Sequence, residues 1–169
     1  MSNVIKRELW QTFLGIPDAG GTNFDYEAIG EDNDTLTEEL NANVSKTKNV
    51  LGKNSTAVDG YSPSMSVSPY KADKGTKTFA FLKGIADGLK THGDCETHVI
   101  DVDLFAEPES SEYPAIKKGV IVEVKSLGGN TDAFQIPYEL HYTNVNEKGK
   151  FNPTTKKFTK TLFYKDKKG

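Results

Sequence analysis

Apolar and polar residues alternate with a period of two along much of this chain, and that alternation predicts strands with one buried face. The segment 61–70 shows it most clearly, since Tyr61, Met65, Val67 and two prolines alternate with four serines. The serine side carries no charge, and the prolines argue against a central strand over the whole stretch. We therefore expect this segment to bury its apolar side and to present small hydroxyl groups on the other.

Further strands follow from the same pattern. They are expected at 8–16, 35–50, 55–70, 97–105, 118–127 and 134–145, with a short turn and one more possible strand after 151. A turn signal, GKNS, separates 35–50 from 55–70 and predicts a hairpin. The apolar face of 35–50 consists of Leu36, Leu40, Ala42 and Val44. The face expected to be buried in 134–145 consists of Phe134, Ile136, Tyr138, Leu140 and Tyr142.

One segment, 75–93, has helical periodicity. Its apolar stripe consists of Phe79, Leu82, Ile85, Ala86 and Leu89. Thr76 or Thr78 can cap the start of this helix, and Gly93 suits its end. The order of strands, one helix and more strands predicts a mainly β (α+β) fold, an antiparallel β-sandwich or open barrel with one flanking α-helix. We expect a single domain over residues 1–169.

Charge is distributed unevenly. Between Asp18 and Glu39 there are eight acidic residues and no basic one, and residues 17–34 read as a long loop. From Lys148 to the end there are eight lysines and one acid, with a lysine-rich tail at about 161–169. Either the two segments are solvated surface, or they meet on neighbouring copies of the chain.

Composition narrows the function classes. The net charge of −3 gives no general reason to expect affinity for nucleic acid, and one cysteine excludes an internal disulfide framework. The N-terminal residues lack a signal-peptide core, and no apolar run approaches the roughly 20 residues that span a bilayer. We expect a protein made and folded in a cytoplasm.

Candidate chemistry is sparse. His92, Cys95 and His98 are three residues apart, but no second ligand pair completes a zinc site. Asp101 and Asp103 form a D-x-D that could hold a divalent ion, yet no nucleotide-binding unit accompanies it, so a solvated or interface strand face is the expected reading. No serine lies in a G-x-S-x-G elbow. The sequence thus predicts no catalytic residue, metal or cofactor.

An ordered set of segments between about residues 35 and 160 resembles the major tail tube proteins of long-tailed, siphovirus-type phages and prophages of Gram-positive bacteria. The most telling segments are GYSPSMSV, the YPA–strand–SLGG unit and the closing G-x-F-N-P-x-T-K-x-F-T turn. The resemblance implies subunits that continue each other's sheets to form hexameric rings. These rings stack into a hollow tube in the virion tail, without enzyme activity.

The same resemblance implies the partners. They are further copies of the chain, a tape measure protein, tail terminator and baseplate or distal tail proteins, and double-stranded DNA in transient, non-specific passage. No membrane is involved, and assembly is expected in the cytoplasm of the bacterial host.

Two sets of residues are candidates for contacts in such a tube. One strand face would line the lumen, where a wall with few cations suits passing DNA because lysines would hold its phosphates. The lumen candidates are Thr37, Glu39, Asn41, Asn43, Ser62, Ser64, Ser66, Glu123, Gln135, Glu139 and His141. Lys125 shares the face of Glu123 and is expected to pair with a carboxylate. The candidates for contacts between rings are Phe24, Tyr26, Ile29, Glu31, Asp32, Asp34, Lys165, Lys167 and Lys168.

Other functions fit the same pattern of strands. The fold could serve as the inner tube of a contractile injection system, which sheath contacts would reveal. It could also be a monomeric β-sandwich module that binds glycans or receptors, which requires an aromatic-lined surface site. An unrecognised hydrolase ranks last.

Overall fold

The computed structural model of the protein describes residues 3–161, and in this range the chain is mainly β with one α-helix. The predicted fold class is therefore confirmed. The helix α1 is Lys77–Asp87, and short 3₁₀ turns lie at Arg7–Leu9 and His92–Cys95. The strands are β1 (Trp10–Pro17), β2 (Phe24–Ala28), β3 (Glu38–Glu39), β4 (Ala42–Lys48), β5 (Asn54–Tyr61), β6 (Ser64–Val67), β7 (Glu96–Asp103), β8 (Tyr113–Val124), β9 (Gly128–Gly129), β10 (Phe134–Gln135), β11 (Tyr138–Asn152) and β12 (Lys157–Lys160).

Most of these strands belong to one large antiparallel sheet. Its hydrogen-bonded order is β2–β1–β7–β8–β11–β6–β3, and β12 also pairs with β11. Two further sheets are two-stranded: β4 with β5, and β9 with β10.

The chain divides into two compact units, each made of separate segments. Unit 1 is Met1–Ile29, His98–Lys118 and Asn146–Gly169, and unit 2 is Gly30–Thr97 and Gly119–Val145. The long strands β7, β8 and β11 each contribute residues to both units. The expectation of a single domain stays a prediction.

In unit 1 the core forms where apolar residues of several strands meet. The buried side chains are Phe13, Ile100, Val102, Ala115 and Phe151. The rings of Phe13 and Phe151 are 4.9 Å apart between centroids, within the range of favourable aromatic pairs. β1 is buried over Thr12–Ile16 on both faces, and its two edges pair with β2 and β7.

Unit 2 contains the helix. The Thr76 hydroxyl oxygen accepts a hydrogen bond from the Phe79 amide, so Thr76 is the N-cap and one predicted start is confirmed. Leu82 and Ile85 are buried as the periodicity predicted. The predicted end at Gly93 is wrong, because the helix stops before Gly88 and Leu89 is exposed.

The expectation of a loop over 17–34 is wrong, since Phe24–Ala28 forms β2 and pairs with β1. The connection between these strands is short because Asp18 organises it. The Asp18 carboxylate accepts hydrogen bonds from the backbone of Gly20 and Thr22 and from the Asn23 side chain. Gly21 takes the positive φ of +69° that the turn requires.

The segment 35–50 is not one strand. It breaks at Asn41, which has a positive φ of 47°, into β3 and β4. The hairpin with 54–61 is confirmed, whereas β6 pairs instead with β3 and β11. Phe134, expected in the core, is 42% exposed because β11 starts only at Tyr138.

Candidate functional site

A polar face of the sheet in unit 2 collects six of the residues that the sequence proposed for a lumen. Ser64 and Ser66 on β6 pair with His141 and Glu139 on β11, and Glu39 on β3 pairs with Ser64. The alternate residues on the same two strands, Met65, Val67 and Leu140, are fully buried. Since successive side chains of a strand point to opposite faces, the hydroxyl and carboxylate groups share the outer face. The sixth, Glu123 on β8, joins them through its contact with His141. We call these six residues, with Lys125, the polar face.

The one lysine of the polar face is paired with two of its carboxylates. The Lys125 ammonium lies 3.1 Å from a Glu123 carboxylate oxygen and 2.9 Å from a Glu139 carboxylate oxygen. Nε2 of His141 lies 2.6 Å from the other Glu123 oxygen. Hydrogen bonds from His141 and then Lys125 lower the pKa of Glu123, and those to Glu139 and Glu123 raise the pKa of Lys125. The expected pairing of Lys125 with a carboxylate is confirmed.

The same cluster has ligand-like spacing. Possible ligand atoms of Glu123, Glu139 and His141 lie within 4.8 Å of one another. This is the group of possible metal ligands that occurs among residues 3–161. The Lys125 ammonium, however, already contacts both carboxylates. A metal ion would have to displace it.

The other five lumen candidates lie elsewhere. Asn41 links the ends of two strands, since its side-chain amide donates to the Ser62 carbonyl at 3.0 Å and to the Ser64 hydroxyl at 3.2 Å. Ser62 follows β5, Asn43 lies on β4, Gln135 lies on β10, and Thr37 is outside the strands. The sequence assigned all five to one face because it treated 35–50, 61–70 and 134–145 as unbroken strands.

The hairpin of β4 and β5 is the second notable surface. Nearly all of its residues are exposed, and only Ser45 and Gly60 are partly covered. Val44 and Val58 are cross-strand partners, 50% and 53% exposed, and Val50 and Leu51 at the turn are more exposed still. The alternation in 35–50 predicted a strand correctly but misled about burial, because nothing in this unit covers the apolar side.

The acidic segment behaves differently from expectation. Phe24 and Tyr26 face their own unit: the Phe24 ring centroid is 4.5 Å from that of His98, and the Tyr26 hydroxyl is 2.7 Å from His98 Nε2. Their apolar surface is therefore not free in the way that inter-ring anchors require. Ile29 is half-buried and donates its amide to the Thr12 carbonyl.

The charged inter-ring candidates are only partly described. Glu31 and Asp34 are exposed, and Asp32 accepts a hydrogen bond from the Lys71 amide at 2.8 Å. Lys165, Lys167 and Lys168, with most of the lysine-rich tail, lie outside the described residues.

The sequence motifs that were set aside as metal sites have other partners. The Cys95 thiol donates to the Lys90 carbonyl, and burial raises its pKa. His98 contacts Tyr26, and His92 is exposed. The expectation that Asp101 belongs to a solvated or interface strand face is wrong, because Asp101 is 3% exposed and its carboxylate contacts Thr12 on β1 and Lys118 on β8.

Comparison with known proteins does not assign the chain to a family. No family model and no curated protein matches the chain. Among residues 3–161, no helix combines the length and the hydropathy that crossing a bilayer requires.

Proposed function

We propose that this chain is a structural subunit that assembles into hexameric rings, which stack into the hollow tail tube of a siphovirus-type phage or prophage. The observation that carries the proposal is the exposed β4–β5 hairpin. A lone two-stranded hairpin is marginally stable in water. This one has apolar residues in the open and, among the described residues, no third strand beside it.

A second copy of the chain supplies what the hairpin lacks. Each of its strands has one edge with unpaired backbone donors and acceptors, which is a template for another strand. Val44, Val58 and the turn residues Val50 and Leu51 add apolar area that a neighbour can cover. Contact between an edge on one copy and a different surface on the next is head-to-tail, and such contacts form a ring when the rotation closes.

The polar face suits the wall of the resulting channel. A sheet continued around six copies is far wider than a small barrel, and wide barrels leave an aqueous channel. On this face the single lysine is bound by two carboxylates, and the remaining groups are acids, hydroxyls and one imidazole. Such a wall offers no unpaired lysine to phosphates, so duplex DNA can pass without being held.

The remaining partners follow from the resemblance of the sequence to tail tube proteins. The tube would enclose a tape measure protein and end at tail terminator and baseplate or distal tail proteins. The protein would be assembled in the host cytoplasm, and it would need no cofactor and act on no substrate as an enzyme.

The test is assembly of the purified chain with and without the apolar surface of the hairpin. Wild-type protein should form rings or tubes at high concentration, seen by light scattering and negative-stain imaging. The double variant Val44→Lys, Val58→Lys should remain monomeric with an unchanged circular dichroism spectrum, because both side chains are exposed in the single chain.

The matched control is the double variant Leu89→Lys, Phe105→Lys. It changes two exposed apolar residues outside the hairpin and adds the same charge, so it should assemble like wild type. Wild-type protein that stays monomeric at every concentration and salt tried would contradict the proposal. So would a hairpin variant that assembles as well as its control.

A further inference from the structure

A buried acid and a largely buried lysine lie side by side in unit 1. One Asp101 oxygen, Oδ1, accepts a hydrogen bond from the Thr12 hydroxyl at 2.7 Å. The other, Oδ2, lies 2.8 Å from Nζ of Lys118 on the neighbouring strand β8. The Lys118 side chain is only 16% exposed and that of Asp101 4%.

The contact is close but poorly suited to a simple ion pair. Although Nζ is 2.8 Å away, Oδ2 receives no hydrogen bond and is fully buried. Removing two charges from water is costly, and good hydrogen bonds are what normally offset that cost. The amine nitrogen therefore lies 2.8 Å from a carboxylate oxygen that receives no hydrogen bond.

We propose that Lys118 and Asp101 join covalently, through an amide bond between Nζ and Cγ. Proton transfer across the contact converts the ammonium and carboxylate into an amine and a carboxylic acid. The amine nitrogen attacks Cγ, the Cγ–Oδ2 bond breaks, and Oδ2 leaves as water. The water takes the acid proton and one proton from nitrogen, so the reaction needs no oxidant, reductant or co-reactant.

The surroundings match this direction of reaction. Thr12 donates to Oδ1, the oxygen that stays as the amide carbonyl, and it would stabilise negative charge on Oδ1 in the tetrahedral intermediate. The orphaned oxygen Oδ2 is the one that leaves. The product also replaces two buried charges with one neutral group, which removes the desolvation cost of the ion pair.

Asp103 is placed to carry the proton. It lies two residues beyond Asp101 on β7, hence on the same face of the strand. Burial, followed by the charge of Asp101, raises the pKa of Asp103. A carboxyl group whose pKa is raised in this way can donate a proton to the departing Oδ2 and accept the proton from nitrogen, ending unchanged.

The mass of the intact wild-type chain tests whether the amide bond forms. The protein should be lighter than its sequence mass by one water molecule, with or without Met1. After trypsin digestion, peptides containing Asp101 and Lys118 should appear as one branched species. Wild-type protein with the full sequence mass would overturn the proposal, and this result does not depend on any variant folding.

Variants locate the bond. Lys118→Arg should restore the full mass, and Asp103→Asn should leave most chains unlinked. Lys117→Arg is the matched control and should retain the water loss. Complete linkage in Asp103→Asn would show that Asp103 is not the proton carrier. Water loss that persists in Lys118→Arg would show that the proposed Lys118–Asp101 bond does not form.

A second reaction that loses one water molecule must be distinguished from the Asp101–Lys118 amide bond. Asp59 precedes Gly60, and an Asp–Gly sequence can cyclise to an imide. That imide lies within a single linear peptide and hydrolyses in mild alkali, whereas the Asp101–Lys118 amide survives. Water loss confined to the Asp59 peptide would contradict the proposal, which stands independently of the tail tube assignment.

Discussion

His98 is kept neutral inside unit 1. It is 6% exposed, its ring contacts Phe24, and its Nε2 is within hydrogen-bond distance of the Tyr26 hydroxyl. Burial lowers the pKa of His98 to about 4, with Lys117 adding to the effect and Glu147 opposing it. At Gly15, a Cβ would come 2.9 Å from His98 Nε2, so the glycine gives the ring its room.

This environment predicts a pH dependence of stability. With a pKa near 4 when folded and about 6.5 when unfolded, His98 binds its proton more readily in the unfolded chain. The free energy of unfolding should therefore fall as pH drops from about 6.5, with the loss complete below about 4 and at most about 3 kcal/mol. Urea unfolding at a series of pH values measures it.

Carboxylates also titrate in this range, so the His98 contribution needs a difference measurement. His98→Gln keeps a polar group beside Tyr26 and should flatten the slope between pH 4 and 6.5. His92→Gln changes an exposed histidine and should leave the slope as in wild type. Equal slopes in wild type and His98→Gln would show that His98 does not titrate as its surroundings indicate.

Among the elements, the helix depends on a local cap. Thr76 accepts from the Phe79 amide at 3.3 Å and donates to the Asp73 carbonyl at 2.8 Å. Thr76→Ala should lower the free energy of unfolding by about 1 kcal/mol, a typical value for losing such a cap. Thr91 precedes the second 3₁₀ turn without a side-chain cap, so Thr91→Ala is the control with little change. Denaturant melts that do not distinguish the two variants would contradict this.

Elements with a strong local signal could be predicted from sequence. The helix followed from an apolar stripe and a capping threonine, and β7, β8 and β11 followed from alternation over valine, isoleucine and leucine. β2 was missed because Phe24 and Tyr26 are only two apolar residues among acids, and what fixes them is contact with His98, which is distant in sequence. Register follows the same division: Ser64 and Ser66 lie opposite the buried Met65 and Val67, as alternation predicted, whereas Gln135 lies on β10 and pairs with β9 instead of continuing β11.

Burial was the less predictable property at this scale. Val44 and Asp101 both reversed expectation, the valine being exposed and the aspartate buried. Neither outcome is encoded locally, since the exposure of Val44 reflects a hairpin that is almost wholly exposed, and Asp101 contacts Thr12 and Lys118 from two other strands.

At the scale of the whole molecule, the uneven charge bears on stacking of the proposed rings. Glu31→Lys with Asp34→Lys should shorten tubes and make them more sensitive to salt while single rings survive, because exposed ion pairs are weak individually but repeat around each ring. Asp32 is left unchanged because it holds the Lys71 amide. Deletion of residues 165–169 should act in the same direction. Tube length in negative stain at several salt concentrations is the measurement.

The control for this charge reversal keeps the net charge equal. Asp94→Lys with Glu107→Lys changes two exposed acids outside the acidic segment. It should give tubes like those of wild type. If both charge reversals behave alike, or if neither alters the tubes, the acidic segment is ordinary solvated surface.

The discontinuous units have a consequence for inheritance. Since each unit is assembled from separated stretches of the gene, no single crossover can exchange one of them intact, and β7, β8 and β11 would be mismatched by most recombination events.

The β4–β5 hairpin is the opposite case. It is one contiguous stretch whose ends meet through the Ser62 amide and the Asn41 carbonyl, 3.4 Å apart. The length of this piece can therefore change without breaking either unit, and a foreign peptide inserted at its exposed Val50–Leu51 turn should leave the rest of the chain able to fold.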